Sequence, residues 1–181
     1  MSTETKKNHY VVNKDFLAAI IERKKIVDAM AEGEEKPVLS NYLAKCIFDI
    51  CNHLSYKPNF IGYSYRQEMI GDALENCLRV VDNFDPEKSS NPFAYFTQIA
   101  YFAFLRRIET EKKQSYIRGK LLDELPLDEL MDLEDFDGQP LDFVEQMRQN
   151  YYYDTAEYEA KKEKKKAEKA AKLEAFMNAE E

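Results

Sequence analysis

Two histidines among 181 residues leave almost no side chains that change charge near neutral pH. There is also no Gly-rich phosphate loop, no Ser, His and Asp set, and no cluster of His and carboxylates at metal-ligand spacing. An enzyme is therefore not expected, and neither is a cofactor. Glycine is scarce, with five in the chain, and no run of alternating β-branched residues occurs, so a sheet is excluded. No uncharged apolar run approaches the length of a membrane span, and the polar start MSTETKKNHY lacks the apolar segment of a signal peptide. From these absences a cytoplasmic chain with no membrane partner is expected. The three cysteines, Cys46, Cys51 and Cys77, cannot form a complete disulfide set, and each occupies an apolar helical position. Cys46, Cys51 and His53 match no zinc spacing and lack an evident fourth ligand, so buried thiols are expected rather than a metal site.

What is present is charge and apolar residues at helical spacing. Hydrophobic residues make up 44% of the chain and charged residues 33%, a balance that permits a core within a helical, soluble, all-α protein. The formal charge of -8 argues against a protein that grips DNA unaided, because phosphate attraction needs a basic excess. Either the chain binds no nucleic acid or it does so inside a larger, basic assembly.

The stretch from Tyr65 to Arg107 organises the rest. Met69, Ile70, Ala73, Leu74, Cys77, Leu78, Val81 and Phe84 form one apolar helical stripe, with Glu68, Asp72, Glu75, Asn76, Arg79 and Asp82 on the opposite face. Ser64 and Gln67 have the spacing of a capping box. After the break at Asp85-Pro86, Asn91 is placed as an N-cap with Pro92 at the first helical position. The second helix carries Phe93, Phe96, Thr97, Ala100, Ala103, Phe104 and Ile108 on a face suited to burial. A second face carries Tyr95, Gln98, Ile99, Phe102 and Arg106, and that apolar surplus needs either burial or a partner.

Upstream, a helix is expected from Asn13 or Asp15 to about Ala31, with Leu17, Ile20, Ile21, Val27 and Met30 as its stripe and Gly33 ending it. Ser40 or Asn41 then caps a helix in which Leu43, Cys46, Ile47, Ile50, Cys51 and Leu54 keep helical spacing. Residues 55 to 63, with Pro58 and Gly62, read as a loop. The helix at 40 to 55 and the organising pair should form a three-helix core, with the helix at 14 to 31 laid across it.

Beyond Arg107 the charge changes twice. Basic residues dominate to Lys120, then residues 123 to 137 carry eight acidic side chains and no basic one, with Pro126, Gly138 and Pro140 opposing one long helix. Helical character resumes after Pro140 and runs into KKEKKKAEKAAK, a solvated helix or tether. The chain closes on Leu173, Phe176 and Met177 among acidic residues, apolar side chains suited to a partner groove or to packing back on the domain. The organisation expected is an arm at 1–12, a helical domain at 13–120, an acidic connecting segment at 121–150 and a Tyr/Lys-rich tail at 151–181.

The run Met69 to Phe84, ending Val81-Asp82-Asn83-Phe84, followed by the aromatic helix containing Tyr95-Phe96-Thr97, resembles region two of bacterial sigma factors. Within that family it is most similar to the late-transcription sigma factors of T-even-type bacteriophages. The resemblance covers roughly residues 40 to 115 and the extreme C-terminus. It implies initiation of late transcription in the host bacterial cytoplasm by a subunit that joins RNA polymerase core and opens a minus-ten promoter element. The first helix would dock on the β′ clamp helices through Glu68, Asp72 and Arg79, although Gly71 stands where primary sigma factors usually carry Gln. Tyr95 would stack on the flipped adenine. The family's paired tryptophans align with Gln98 and Ile99, and since the chain has no Trp, Ile99 and Phe102 would support the fork. Lys88, Arg106 and Arg107, with Lys112 and Lys113, would contact phosphates. No C-terminal helix-turn-helix is found after residue 120, so another attachment is implied: Leu173, Phe176 and Met177 would bind a DNA sliding clamp, alongside a phage coactivator. The competing expectation is a helical adaptor or inhibitor that binds polymerase and never touches promoter DNA.

Overall fold

The structure is a computed structural model that describes residues 10–31, 33–124 and 141–177. Every regular element among them is helical, and none is a strand. The elements are α1 (Asn13–Asp28), α2 (Asn41–Ser55), α3 (Pro58–Ile61), α4 (Arg66–Arg79), a 3-10 turn (Val81–Asn83), α5 (Pro92–Glu124) and α6 (Leu141–Met177). The chain divides into two compact units, Met1–Ile108 and Glu109–Glu181.

In the first unit the apolar spacing of each helix becomes one core. Leu43, Cys46, Ile47, Ile50, Cys51 and Leu54 of α2 meet Met69, Ile70, Ala73 and Cys77 of α4, while α5 contributes Phe96, Ala100, Ala103, Phe104 and Ile108. Phe16 and Ile20 close it from α1, and Phe60 from α3. Small residues at Ala73, Ala100 and Ala103 leave room for aromatic neighbours, and the Phe60 and Phe104 rings meet edge-on at 5.0 Å.

The helix ends are set by few groups. Asn91 caps α5 as its spacing foretold, its Oδ1 accepting from Ala94 N at 3.1 Å. Asn13 ties α1 to the same corner: its Oδ1 accepts from Phe93 N at 3.3 Å and its Nδ2 donates to Ser90 O at 3.2 Å. Ser40 caps α2 through Leu43 N. The capping box expected at Ser64 does not form, because Tyr65 occupies the N-cap position and no side chain there accepts a bond. The loop expected at 55–63 contains the single turn α3, whose first residue is Pro58. Arg23 Nε donates to Asp82 Oδ1 at 2.8 Å and Lys36 Nζ to Asp82 Oδ2 at 3.1 Å, joining α1, the following loop and the 3-10 turn.

The second unit pairs the end of α5 with α6. The Tyr116 and Tyr158 rings stack at 4.9 Å, and Lys120 reaches Glu159 at 2.9 Å, Lys112 reaches Glu157 at 3.4 Å and Lys165 reaches Glu109 at 3.7 Å. The domain boundary expected at residue 120 thus lies inside this unit. The physical reason is that the buried stripe of α5 ends at Ile108, after which its side chains turn to α6. The acidic stretch 125–140 lies outside the described residues, as does the arm at 1–9.

Candidate partner and nucleic-acid surfaces

Two helices of the first unit present side chains that its core does not use. On α4 these are Gln67, Glu68, Gly71, Glu75, Leu78 and Arg79, all exposed. Glu68 has no ion pair among the described residues, whereas Arg79 bonds to Glu75 one turn earlier. Leu78 was expected in the buried stripe but is 46% exposed, because the packed face of α4 is centred on Ala73 and Cys77. Asp72 does not project alone: Arg107 Nε donates to its Oδ2 at 2.7 Å and Arg107 Nη2 to its Oδ1 at 2.9 Å. A residue assigned to polymerase and one assigned to DNA are thereby clasped to each other across α4 and α5.

On α5 the outward stripe is Ala94, Gln98, Tyr101, Phe102 and Leu105, which share one side of the helix at 100° per residue. Phe102 is 48% exposed and Tyr101 39%. Tyr95 lies at the edge of this stripe and turns inward. Its ring makes edge contacts with Phe84 at 5.2 Å and Phe96 at 5.1 Å, and burial, with a smaller contribution from nearby Cys77, pushes its hydroxyl above the ordinary tyrosine value. Ile99 is likewise half-buried against the core. Gln98, Phe102 and Arg106 are exposed, and Lys88 sits in the loop before α5, bonded to Asp85 at 3.4 Å.

Tyr101 and Leu105 belong to this surface, and sequence reasoning passed over them. The signal was available, since they lie three and seven residues beyond Gln98. The Tyr101 ring lies near-perpendicular to that of Phe60 with centroids 5.6 Å apart and meets Phe102 at 5.9 Å, so two adjacent aromatics are held at the surface by the core beneath. They can offer flat apolar faces to planar groups.

The remaining candidates play structural parts or lie elsewhere. Cys46, Cys51 and Cys77 are buried free thiols. The Cys51 thiol is pushed well above its usual range by its hydrogen bond to Cys77 and then by burial. Cys77 itself donates to Phe96 O at 3.8 Å. His53 stacks on Tyr10 at 3.9 Å, its Nδ1 bonded to Asp49 O at 2.8 Å. Among the described residues no three His, Cys, Asp or Glu side chains converge to hold a metal, and no helix is long and apolar enough to cross a membrane. The backbone of α6 runs through Leu173, Phe176 and Met177, whose side chains lie outside the described residues.

Charge is unevenly divided between the units. Residues 1–108 hold fourteen basic and fourteen acidic side chains, so the whole formal charge of -8 resides in 109–181, with twelve basic and twenty acidic. The unit that carries both exposed helix faces is therefore neutral. A scan against models of protein families finds none that matches the chain, and a search of curated proteins finds no match.

Proposed function

We propose that the chain is a sigma-like initiation subunit, which joins RNA polymerase core through α4 and opens a minus-ten-type late promoter with α5. The observation that carries this reading is the exposed pair Tyr101 and Phe102 on a helix whose opposite face is locked into the core. Promoter opening requires bases to leave the stack, and an aromatic side chain receives an unstacked base at a gain of about 1–3 kcal/mol. A rigid aromatic platform on a neutral unit supplies that gain without repelling the phosphates. Gln98 beside the rings offers hydrogen bonds to a base edge, and Arg106 and Lys88 offer charge to the strand. Tyr95 packs against Phe84 and Phe96, and Arg107 acts first as the clasp on Asp72.

Glu68 and Glu75 give α4 an acidic outer face, complementary to a basic coiled coil on the polymerase. The C-terminal residues Leu173, Phe176 and Met177 serve as a tether to a sliding clamp, raising the local concentration of the assembly at its template. The test is binding to bacterial core polymerase by the wild type and by Glu68→Lys. Tight binding by the first and at least tenfold weaker binding by the second is expected.

The adaptor or inhibitor reading draws on a different observation, the concentration of all the net negative charge in 109–181. It shares the acidic face of α4 as a polymerase contact, so promoter opening, which the sigma reading requires and this one does not, separates the two.

A further inference from the structure

The lysines near the end of α6 are not scattered. At 100° per residue, Lys161, Lys162, Lys165, Lys166, Lys169 and Lys172 fall within an arc of about 140° on this helix. Glu163, Lys164 and Glu168 lie outside that arc, Lys164 about 60° and Glu168 about 20° beyond Lys161, and all of these side chains are exposed. A helix built only for solubility would alternate its signs around the surface, because Glu and Lys four residues apart support one another and like charges at that spacing repel. Here Lys161 and Lys165, Lys162 and Lys166, and Lys165 and Lys169 stand four apart, which disfavours the helix in isolation. Lys161 and Lys165 have acidic neighbours in Glu157 and Glu109. Lys162, Lys166, Lys169 and Lys172 form no ion pair among the described residues, and Lys162 only lies over the Tyr116 ring at 5.9 Å.

We infer that this lysine stripe of α6 binds the phosphate backbone of double-stranded DNA without regard to sequence. Its composition selects this occupant over a protein surface. Between Lys161 and Lys172 the helix contains only Lys, Glu and Ala, with no aromatic or branched apolar anchor. Protein interfaces are depleted in Lys at their centres and depend on such anchors. The stripe extends about 16 Å at 1.5 Å per residue, about the length of five base-pair steps at 3.4 Å of duplex axis each. Ammonium groups act there as point charges, which position a duplex but do not read it. At physiological salt such attraction reaches only about 8 Å, so the local stripe governs contact even on an acidic unit.

This site is separate from the aromatic surface of α5, and its test uses a duplex without any promoter-like sequence. Binding of the full chain to a fluorescent 30-base-pair duplex is followed by anisotropy across a series of salt concentrations. The wild type is compared with a variant carrying Lys162→Gln, Lys166→Gln, Lys169→Gln and Lys172→Gln. Each lost phosphate contact removes about 0.9 from the slope of log K against log salt, so a decrease of about 3 to 4 is expected, with at least tenfold weaker binding at low salt. A second variant exchanges neighbours at constant composition, Glu163→Lys, Lys165→Glu, Lys169→Ala and Ala170→Lys, after which the lysines spread around the helix. It should lose affinity as well, because the stripe is broken while the net charge is not. Retention of wild-type affinity by either variant, no salt-dependent affinity in the wild type, or tighter binding to polyglutamate than to the duplex would overturn the inference.

Discussion

The guanidinium of Arg107 holds both carboxylate oxygens of Asp72, bridging 35 positions of sequence from α5 to α4. Both side chains are about one-third exposed, so solvent screens the pair and its two-pronged geometry offsets part of that loss. A double-mutant cycle of Asp72→Ala and Arg107→Ala, read by urea denaturation, should give a coupling of about 1 kcal/mol. Coupling near zero would make the clasp incidental. The same pair explains why a charged face inferred from α4 alone is incomplete, since Asp72 is already engaged.

Tyr95 and Phe102 should separate stability from function. Tyr95→Ala removes a ring wedged against Phe84 and Phe96 and should cost about 2 kcal/mol of stability. Phe102→Ala, at a half-exposed ring, should change stability by about 0.5 kcal/mol or less. Thermal or urea melts of the two variants check this ordering, and an equal loss for both would place Phe102 in the core.

Acid should weaken the first unit through Asp82. Burial opposes its charged form, but the hydrogen bonds and charges of Arg23 and Lys36 outweigh that and hold its pKa below the ordinary carboxylate value. A carboxyl depressed in the folded state contributes stability above the unfolded pKa and loses it as pH falls through the folded value. The contribution is therefore full above about pH 4 and fades in more acidic solution. Asp82→Asn should be less stable than the wild type at pH 7 and converge on it in acid as the Asp82 carboxyl protonates in the folded state. A constant difference between the two across that range would contradict the assignment.

The three thiols should be silent toward a maleimide in the folded protein. Cys51 and Cys77 are fully buried and Cys46 nearly so, and burial keeps the Cys46 thiol, like that of Cys51, from ionising readily. All three should label once the chain is unfolded. Labelling of Cys77 under native conditions would mean that the contact of α4 with α5 opens locally.

Helical periodicity made α2, α4 and α5 legible, because each buries one face in a single core, whereas α1 ends at Asp28 and buries Ile20 and the unforeseen Phe16. Asn91 and Pro92 marked the start of α5 for the same local reason that a cap works in isolation. Periodicity did not reveal where α4 stops, since Val81 and Phe84 continue its apolar pattern while the backbone tightens into the 3-10 turn. Nor did it distinguish the flank of a buried face from a free one. Tyr95 and Ile99 look like surplus on a helical projection, yet Phe84 approaches from the preceding loop and covers Tyr95. Tyr101 was overlooked because its contact with Phe60 depends on the position of α3. The clasp between Asp72 and Arg107 depends on tertiary packing and has no local signature.

The most direct test of the proposed function is strand opening on an A·T-rich minus-ten template, followed with a fluorescent base in the non-template strand and bacterial core polymerase. Opening should require this protein and should fall by about 5- to 160-fold in Phe102→Ala while polymerase binding persists, as expected for the loss of one stacked base. Tight binding to core polymerase without opening, on every member of a randomised minus-ten library, would contradict the sigma-like reading and leave an adaptor or inhibitor.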